Sequence, residues 1–338
     1  MKAALLHGVR DVRTGDKPDV SLKKGELLLK PKAVSVCGSD LHYYLEGGIG
    51  SAKVGAPMVL GHEFSAEVVD ERAEDFGLQV GTLVAVDPAL PCGECEWCER
   101  GHANLCPNVE FTGSPPFDGA MREFLGARPE NLFPVPGSFD AATAALLEPL
   151  GVAIHALDLA RLKPMESVAV LGAGPIGLLL MQVAKHAGAG EVYAIDPLSY
   201  RIEVAKRLGA DRMAESHEAV ADWTNGRGVD VVLEATNSPH GPQHAAEAVR
   251  IGGRLILVGI PEGDTFTMIA SHVRRKGLTI KLSRRMGHVY PRAIQMVERG
   301  LVDVTSLVTH RFGLEQAGDA FELQAEYRDG VIKSVIDL

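Results

Sequence analysis

Apolar and polar positions follow two different patterns along the chain. Up to about residue 136 the apolar stretches are short and broken by Gly and Pro, as at 26–30, 33–36, 65–69 and 82–86, which predicts short β-strands joined by turns. Around Gly137 the composition shifts to Ala and Leu. Ser138 or Asp140 can cap a helix through 141–147, and Pro149 is expected to interrupt or kink it. From Ser167 strand and helix patterns alternate, with strands at 168–171, 191–195, 229–234, 254–258 and 278–282 and helices at 176–186, 201–208 and 243–249. That alternation implies a parallel sheet covered by helices on both faces. Mixed segments follow, with a helix at 291–299 and a strand at 331–336. If that tail returns to the first domain, the α/β domain is an insertion within it.

At 338 residues the chain exceeds one comfortable hydrophobic core, so two domains are expected. Hydrophobic residues make up 46% and charged residues 23%, the mix of an ordinary globular protein. A formal net charge of −10 argues against nucleic acid or an anionic membrane as partner. No apolar run is expected to approach the roughly 18 to 20 residues that span a bilayer. The start MKAALLHGVRDVR meets charge by Arg10 without a long apolar core, so no signal peptide is expected. Five cysteines, an odd number with C-x-x-C spacings, fit metal binding in a reducing compartment better than a disulfide framework. Cytoplasmic is therefore the expected location.

The segment Gly172-Ala173-Gly174-Pro175-Ile176-Gly177 follows an apolar strand and opens a helix. Its first glycine allows a tight turn, its second lets backbone approach a pyrophosphate, and its third permits close helix–strand packing. The helix N-terminus adds free N–H groups and positive dipole. Asp196 follows Gly177 by 19 residues, at the end of the second strand, where an acid grips ribose hydroxyls and repels a 2′-phosphate. NAD is therefore favoured over NADP.

The cysteines fall into two groups. Cys92, Cys95, Cys98 and Cys106 lie among the turn formers Pro91, Gly93, Gly101 and Pro107, and four thiolates at such spacing can close a structural zinc site. Free or redox-active thiols are the alternative. A nucleic-acid-binding zinc ribbon is disfavoured, because Glu94, Glu96 and Glu99 outnumber Arg100. Cys37 stands apart, ahead of His62-Glu63. A thiolate, an imidazole and a carboxylate leave a coordination position open, as catalysis requires. Taken singly, Cys37 also reads as a small core residue and His62 as a satisfied turn histidine. Glu148, inside Leu146-Leu147-Glu148-Pro149-Leu150, is either a buried acid that needs a cation or a helix-end acid reaching water.

These residues carry a resemblance. The chain resembles the zinc-dependent medium-chain alcohol dehydrogenase superfamily, and within it the polyol branch that acts on sorbitol or xylitol. The matching segments are Cys37-Gly38-Ser39-Asp40-Leu41-His42-Tyr43, Pro57-Met58-Val59-Leu60-Gly61-His62-Glu63, the four-cysteine lobe, Pro115-Pro116 with Asp118-Gly119, Leu147-Glu148-Pro149, and the Gly172–Gly177 loop. The similarity extends over nearly the whole length. It implies an α/β protein with a GroES-like, β-rich catalytic domain at 1–148 and 285–338, a zinc lobe near 88–110, and a Rossmann domain at 149–284.

Carried over position by position, the resemblance implies that Cys37, His62, Glu63 and Glu148 surround a catalytic zinc. Glu148 stands where some alcohol dehydrogenases use a second cysteine, and relatives differ in which glutamate binds directly. Ser39 would hydrogen-bond the reacting hydroxyl and pass its proton toward His42. Tyr43, Phe111, Ser114 and Arg284 would line the polyol pocket, with Arg285 an interchangeable candidate for Arg284. Gly172, Gly174, Pro175, Ile176, Gly177, Asp196, Arg201, Val258 and Ile260 would contact NAD. Phe117 departs from the family pattern, which often has an acid there. The implied reaction is NAD-dependent oxidation of a secondary alcohol in a polyol or sugar derivative to the ketone, with one catalytic and one structural zinc per chain. The zinc acts as Lewis acid on the hydroxyl and hydride passes to the nicotinamide. A threonine- or butanediol-type dehydrogenase is the neighbouring reading, and a catalytically silent cofactor-binding relative the reading of another class. A homotetramer, or else a homodimer, is the expected assembly.

Overall fold

The strand Leu27–Ser35 is the spine of the first of two units. Its residues alternate, with Leu27, Leu29, Pro31 and Ala33 buried and Lys30 exposed. On one side it pairs antiparallel with Glu63–Val68, from Leu29 opposite Val68 to Ser35 opposite Glu63. The register shifts between Pro31 and Ala33, where the missing proline N–H fits an irregularity. On the other side Ser35 lies opposite Val335 of the strand Lys333–Asp337. The sheet runs in the order Leu132–Pro134, Leu83–Val86, Glu63–Val68, Leu27–Ser35, Lys333–Asp337 and Val308–Gly313, with Leu125–Ala127 also on Leu27–Ser35. Its core includes Leu27, Leu29, Val34, Phe64, Val84, Phe321 and Ile336. This computed structural model describes every residue except Ala56. The first unit comprises Met1–Glu148, Tyr290–Ile294 and Val304–Leu338, and the second comprises Pro149–Val289 and Gln295–Asp303.

The second unit is built on a six-stranded sheet, all parallel, in the order Arg212–Ala214, Glu191–Ile195, Ser167–Leu171, Val229–Glu234, Val249–Leu257, Thr279–Leu282. In chain order this is 3-2-1-4-5-6, the doubly wound arrangement of a Rossmann fold. The central strand Val229–Glu234 is buried at every position, as a strand covered on both faces must be. Helices Pro175–His186, Ser199–Arg207 and Gly241–Ala248 make the crossovers.

One local expectation is borne out and one is corrected. As expected, the helix is interrupted ahead of Pro149: Ala141–Ala145 ends at Leu146, and a new helix, Leu147–Ala160, places Pro149 in its first turn. There the missing N–H has no intrahelical partner to lose. Together these helices also make Ala141–Ala160, 20 residues of mean hydropathy 1.3, apolar enough by length and composition to cross a membrane, contrary to expectation. Burial of 78% of its apolar window marks it as a core helix. The helix Gly38–Glu46 follows the spine strand, in a stretch to which the sequence pattern assigned no element.

Candidate active site and cofactor loop

Cys37 ends the run out of the spine strand and caps the helix Gly38–Glu46, with extended backbone at φ −90° and ψ 158°. Asp40, in the helix's first turn, accepts the Cys37 N–H through Oδ2 at 3.0 Å. Its other oxygen, Oδ1, lies 3.4 Å from His62 Nδ1. The chain reaches His62 through Gly61 at φ +94°, where a Cβ would sit 2.5 Å from Val34 Cγ1. Only glycine allows that turn so close to the spine strand. Cys37, His62 and Glu63 are thereby brought together, with one ligand atom of each within 4.8 Å of the others.

The surroundings of this trio are charged and buried. Glu63 is fully buried, and its Oε2 accepts from Ser35 Oγ and pairs with Lys333 Nζ at 2.5 Å. Lys333 also donates to the Val36 carbonyl at 2.9 Å. Glu63 Oε1, His62 Nδ1 and Asp40 Oδ1 are buried without an aligned hydrogen bond among the described residues. Burial pushes the Cys37 thiol up, and the Glu63 charge adds to this. For His62, burial favours the neutral ring, but the charges of Asp40 and Cys37 outweigh it and hold the imidazole well above its usual range. Burial likewise opposes the Lys333 charge, and Glu63 and Cys37 more than restore it. A half-buried thiol, a buried imidazole and an orphaned carboxylate oxygen form a mixed S, N, O donor set of the kind that holds zinc with a position left open.

Glu148 is near this group but outside it. It is buried in the first turn of Leu147–Ala160, and burial pushes its carboxyl up to about 8, with His62 opposing and Glu63 adding to the rise. It is not among the three residues whose ligand atoms converge. Ser39 Oγ lies 3.5 Å from His62 Nε2. The Tyr43 and Ser114 hydroxyls are 2.9 Å apart, and the Phe111 ring lies 5.4 Å from that of His62. His42 is buried, with Nδ1 2.7 Å from Glu46 Oε1. Arg284 and Arg285 belong to the second unit, where Arg284 is exposed and Arg285 half-buried at φ 54°. Phe117 has Lys23 Nζ 5.6 Å from its ring centre.

The four remaining cysteines converge within 4.8 Å. Cys95 and Cys98 sulfurs are 3.4 Å apart and those of Cys92 and Cys106 3.5 Å, well beyond a disulfide bond. Among the described residues from Cys92 to Cys106, only Cys106 is buried.

In the second unit Gly172 turns at φ +89° with a would-be Cβ 2.7 Å from Ala235 O, and a Cβ on Gly177 would meet Gly172 O at 1.7 Å. Gly174 caps the helix that Pro175 and Ile176 open. Asp196 Oδ2 accepts the Ala173 N–H at 2.8 Å, and its Oδ1 accepts that of Leu198 at 2.9 Å. Arg201 Nη1 stands 3.4 Å from the same carboxylate. Val258 donates its N–H to the Glu234 carbonyl at 2.8 Å, and Ile260 is exposed.

Asp40, Ser35 and Lys333 support the trio, yet the sequence reading did not single them out. Asp40 had a usable signal: an acid three residues after a helix-capping position, free to serve both the cap and a neighbour. Ser35 and Lys333 had none.

Comparison with known proteins fits this architecture. Residues 23–137 match the alcohol dehydrogenase GroES-like domain, and residues 175–299 match the zinc-binding dehydrogenase family. The chain therefore belongs to the zinc-dependent medium-chain alcohol dehydrogenase superfamily, in its polyol dehydrogenase branch. It is 37% identical over 99% of its length to a sorbitol dehydrogenase of Bacillus subtilis, covering 97% of that protein. It is 35% identical over 94% of its length to a probable D-xylulose reductase A of Aspergillus clavatus, covering 92% of it. The L-idonate 5-dehydrogenase structure from Escherichia coli str. K-12 substr. MG1655 superposes with a TM-score of 0.91 at 26% identity, over 100% of this chain and 98% of that one.

Proposed function

We propose that this enzyme oxidises a secondary alcohol of a polyol or sugar derivative to the ketone, with NAD as oxidant and zinc at the reacting oxygen. The convergence of Cys37, His62 and Glu63, with Ser39 beside His62, is the observation that carries the reading. The sorbitol and xylulose substrates named for two relatives support the polyol class. In this reading the first unit is catalytic and the second binds the cofactor.

Cys37 and His62 would hold the catalytic zinc, with a carboxylate from Glu63, whose Oε1 has no hydrogen bond, or from Glu148. When bound, zinc supplies Lewis acidity toward the substrate hydroxyl and NAD supplies a hydride acceptor. Asp40 orients the His62 ring from its Nδ1 side, as an acid behind a metal-binding histidine does. Ser39 takes the hydroxyl proton and passes it toward His42, a buried base on the same helix. The joined hydroxyls of Tyr43 and Ser114 offer hydrogen bonds to further substrate hydroxyls, and Phe111 bounds the pocket beside His62. The four-cysteine lobe would hold a second zinc and add stability where few side chains are buried. Asp196, already bonded to the glycine loop, favours ribose hydroxyls over a 2′-phosphate.

Two measurements test this. Metal analysis of the purified protein should return two zincs per chain. NADH formation should appear with some of sorbitol, xylitol, arabitol and threitol, and exceed that with butanediol or threonine. Activity confined to the last two would replace the polyol reading, and activity only with NADP would contradict the role given to Asp196.

A further inference from the structure

The helix Gly38–Glu46 carries Ser39, His42 and Glu46 at positions i, i+3 and i+7. That spacing aligns side chains along one stripe of a helix, about 5–6 Å apart at Cβ for neighbours. The stripe begins at the active site, where Ser39 Oγ is 3.5 Å from His62 Nε2. It passes through His42, which is buried, and ends at Glu46, whose side chain is 42% exposed. The helix stops one residue later, at Gly47, whose φ of 70° lets its N–H return to Tyr43 O. Glu46 therefore stands at the solvent end of a helix whose other end is capped by Cys37.

His42 Nδ1 and Glu46 Oε1 are 2.7 Å apart, and a carboxylate can only accept in that contact. The neutral His42 ring thus holds its proton on Nδ1, which leaves Nε2 as the basic nitrogen. We propose that Glu46 is a positioning residue for the dehydrogenase reaction: it fixes this tautomer and pairs with the imidazolium formed when His42 takes up the proton. The inference rests on the reading of His42 as proton acceptor.

The proton balance is simple. Oxidation of a secondary alcohol by NAD⁺ yields the ketone, NADH and a proton, so one proton must leave per turnover. The hydroxyl proton goes to Ser39 Oγ as the Ser39 proton passes toward His42, through an intervening hydroxyl or water, and its uptake at Nε2 gives an imidazolium beside the Glu46 carboxylate. That ring then gives its Nε2 proton to water and returns to the Nδ1–H tautomer. The two electrons of the broken C–H bond leave with the hydride, and the electrons of the broken O–H bond close the carbonyl. The arrangement matches in logic an acid that orients a histidine base without itself being protonated.

The test uses the zinc-loaded enzyme saturated with NAD. Glu46→Ala should lower kcat about tenfold, modest beside the full contribution of a general base, with alcohol KM changed less than twofold and an unchanged melting temperature. The ¹⁵N shifts of His42 should move from an Nδ1–H signature to a mixture of tautomers. Glu46→Gln, which retains an acceptor, should keep the tautomer and lose part of the rate. Added acetate should restore part of the Glu46→Ala rate, because the position is exposed. A Glu46→Ala enzyme with wild-type kcat, alongside a His42→Ala enzyme slowed tenfold or more, would overturn the inference and leave the His42 reading standing. If both variants matched wild type, the His42 reading itself would fall.

Discussion

The two candidate metal sites of the first unit gather their ligands in opposite ways. Cys92, Cys95, Cys98 and Cys106 come from one short stretch that is mostly exposed, and four like donors meet with little packing behind them. Cys37, His62 and Glu63 come from a helix cap and a glycine turn on the spine strand. Behind them stand Asp40, Ser35 and Lys333, every one buried. The first site has little besides its four sulfurs to hold it; the second is held by buried partners and leaves one carboxylate oxygen unserved. A metal ligand set that is local in sequence can stabilise a loop, whereas one assembled by a sheet can be tuned by its neighbours.

The largest effect should separate the two sites outright. His62→Ala should cost about 10³-fold or more in kcat/KM, since it removes a ligand from a metal worth several kcal/mol in the transition state. It should leave one zinc per chain and a folded protein. Cys106→Ser should also leave one zinc, but open the lobe to proteolysis between Cys92 and Cys106. Zinc analysis with limited proteolysis checks both, and loss of both metals in either variant would mean that the sites are not independent.

Next comes the buried pair. Lys333 and Glu63 are each at most 3% exposed, so removing one partner leaves an uncompensated buried charge. Lys333→Met should destabilise the metal-free protein by about 3–5 kcal/mol. Adding Glu63→Gln should recover part of that. Chemical denaturation of the single and double variants decides it, and strictly additive losses would show that the pair is not coupled.

That pair also marks the limit of what was legible in the sequence. The glycine loop and the four cysteines could be read because their chemistry is local: fixed offsets on one turn or one loop. Ser35 serves Glu63 because sheet register places them opposite one another, and Lys333 arrives on a strand whose Val335 faces Ser35. Register between strands far apart in sequence leaves no spacing to recognise. The exact place of the break ahead of Pro149 was not legible either. A proline in a helical pattern marks both a break and a first turn, and here the break falls at Leu146, ahead of the proline.

Glu148 offers a smaller, pH-dependent test. Its carboxyl rises from 4.5 when unfolded to about 8 in the fold, burial being the main cause. The folded protein therefore holds this proton more tightly than the unfolded chain. The stabilisation it gives is complete below pH 4.5 and is lost as pH rises through about 8. In the metal-free protein, Glu148→Gln should remove that decline, so the variant gains on wild type as pH increases across this window. Melting temperatures of both proteins over the range check the sign, and a constant difference would show that Glu148 does not titrate there.

The smallest effect belongs to the ion pair of the cysteine lobe. Arg100 Nη2 and Glu96 Oε1 are 3.0 Å apart, one helical turn from each other, and their side chains are 63% and 60% exposed. The distance differs little from the 2.5 Å between Lys333 and Glu63, but the surroundings do not compare. Water and salt screen the exposed pair, and two long side chains lose freedom to form it. Arg100→Ala should change stability by about 0.5 kcal/mol or less, and less still at high salt. A loss above about 1 kcal/mol would mean that the lobe draws on charge as well as on its sulfurs. In that case the contrast between a locally built site and a sheet-built one would need redrawing.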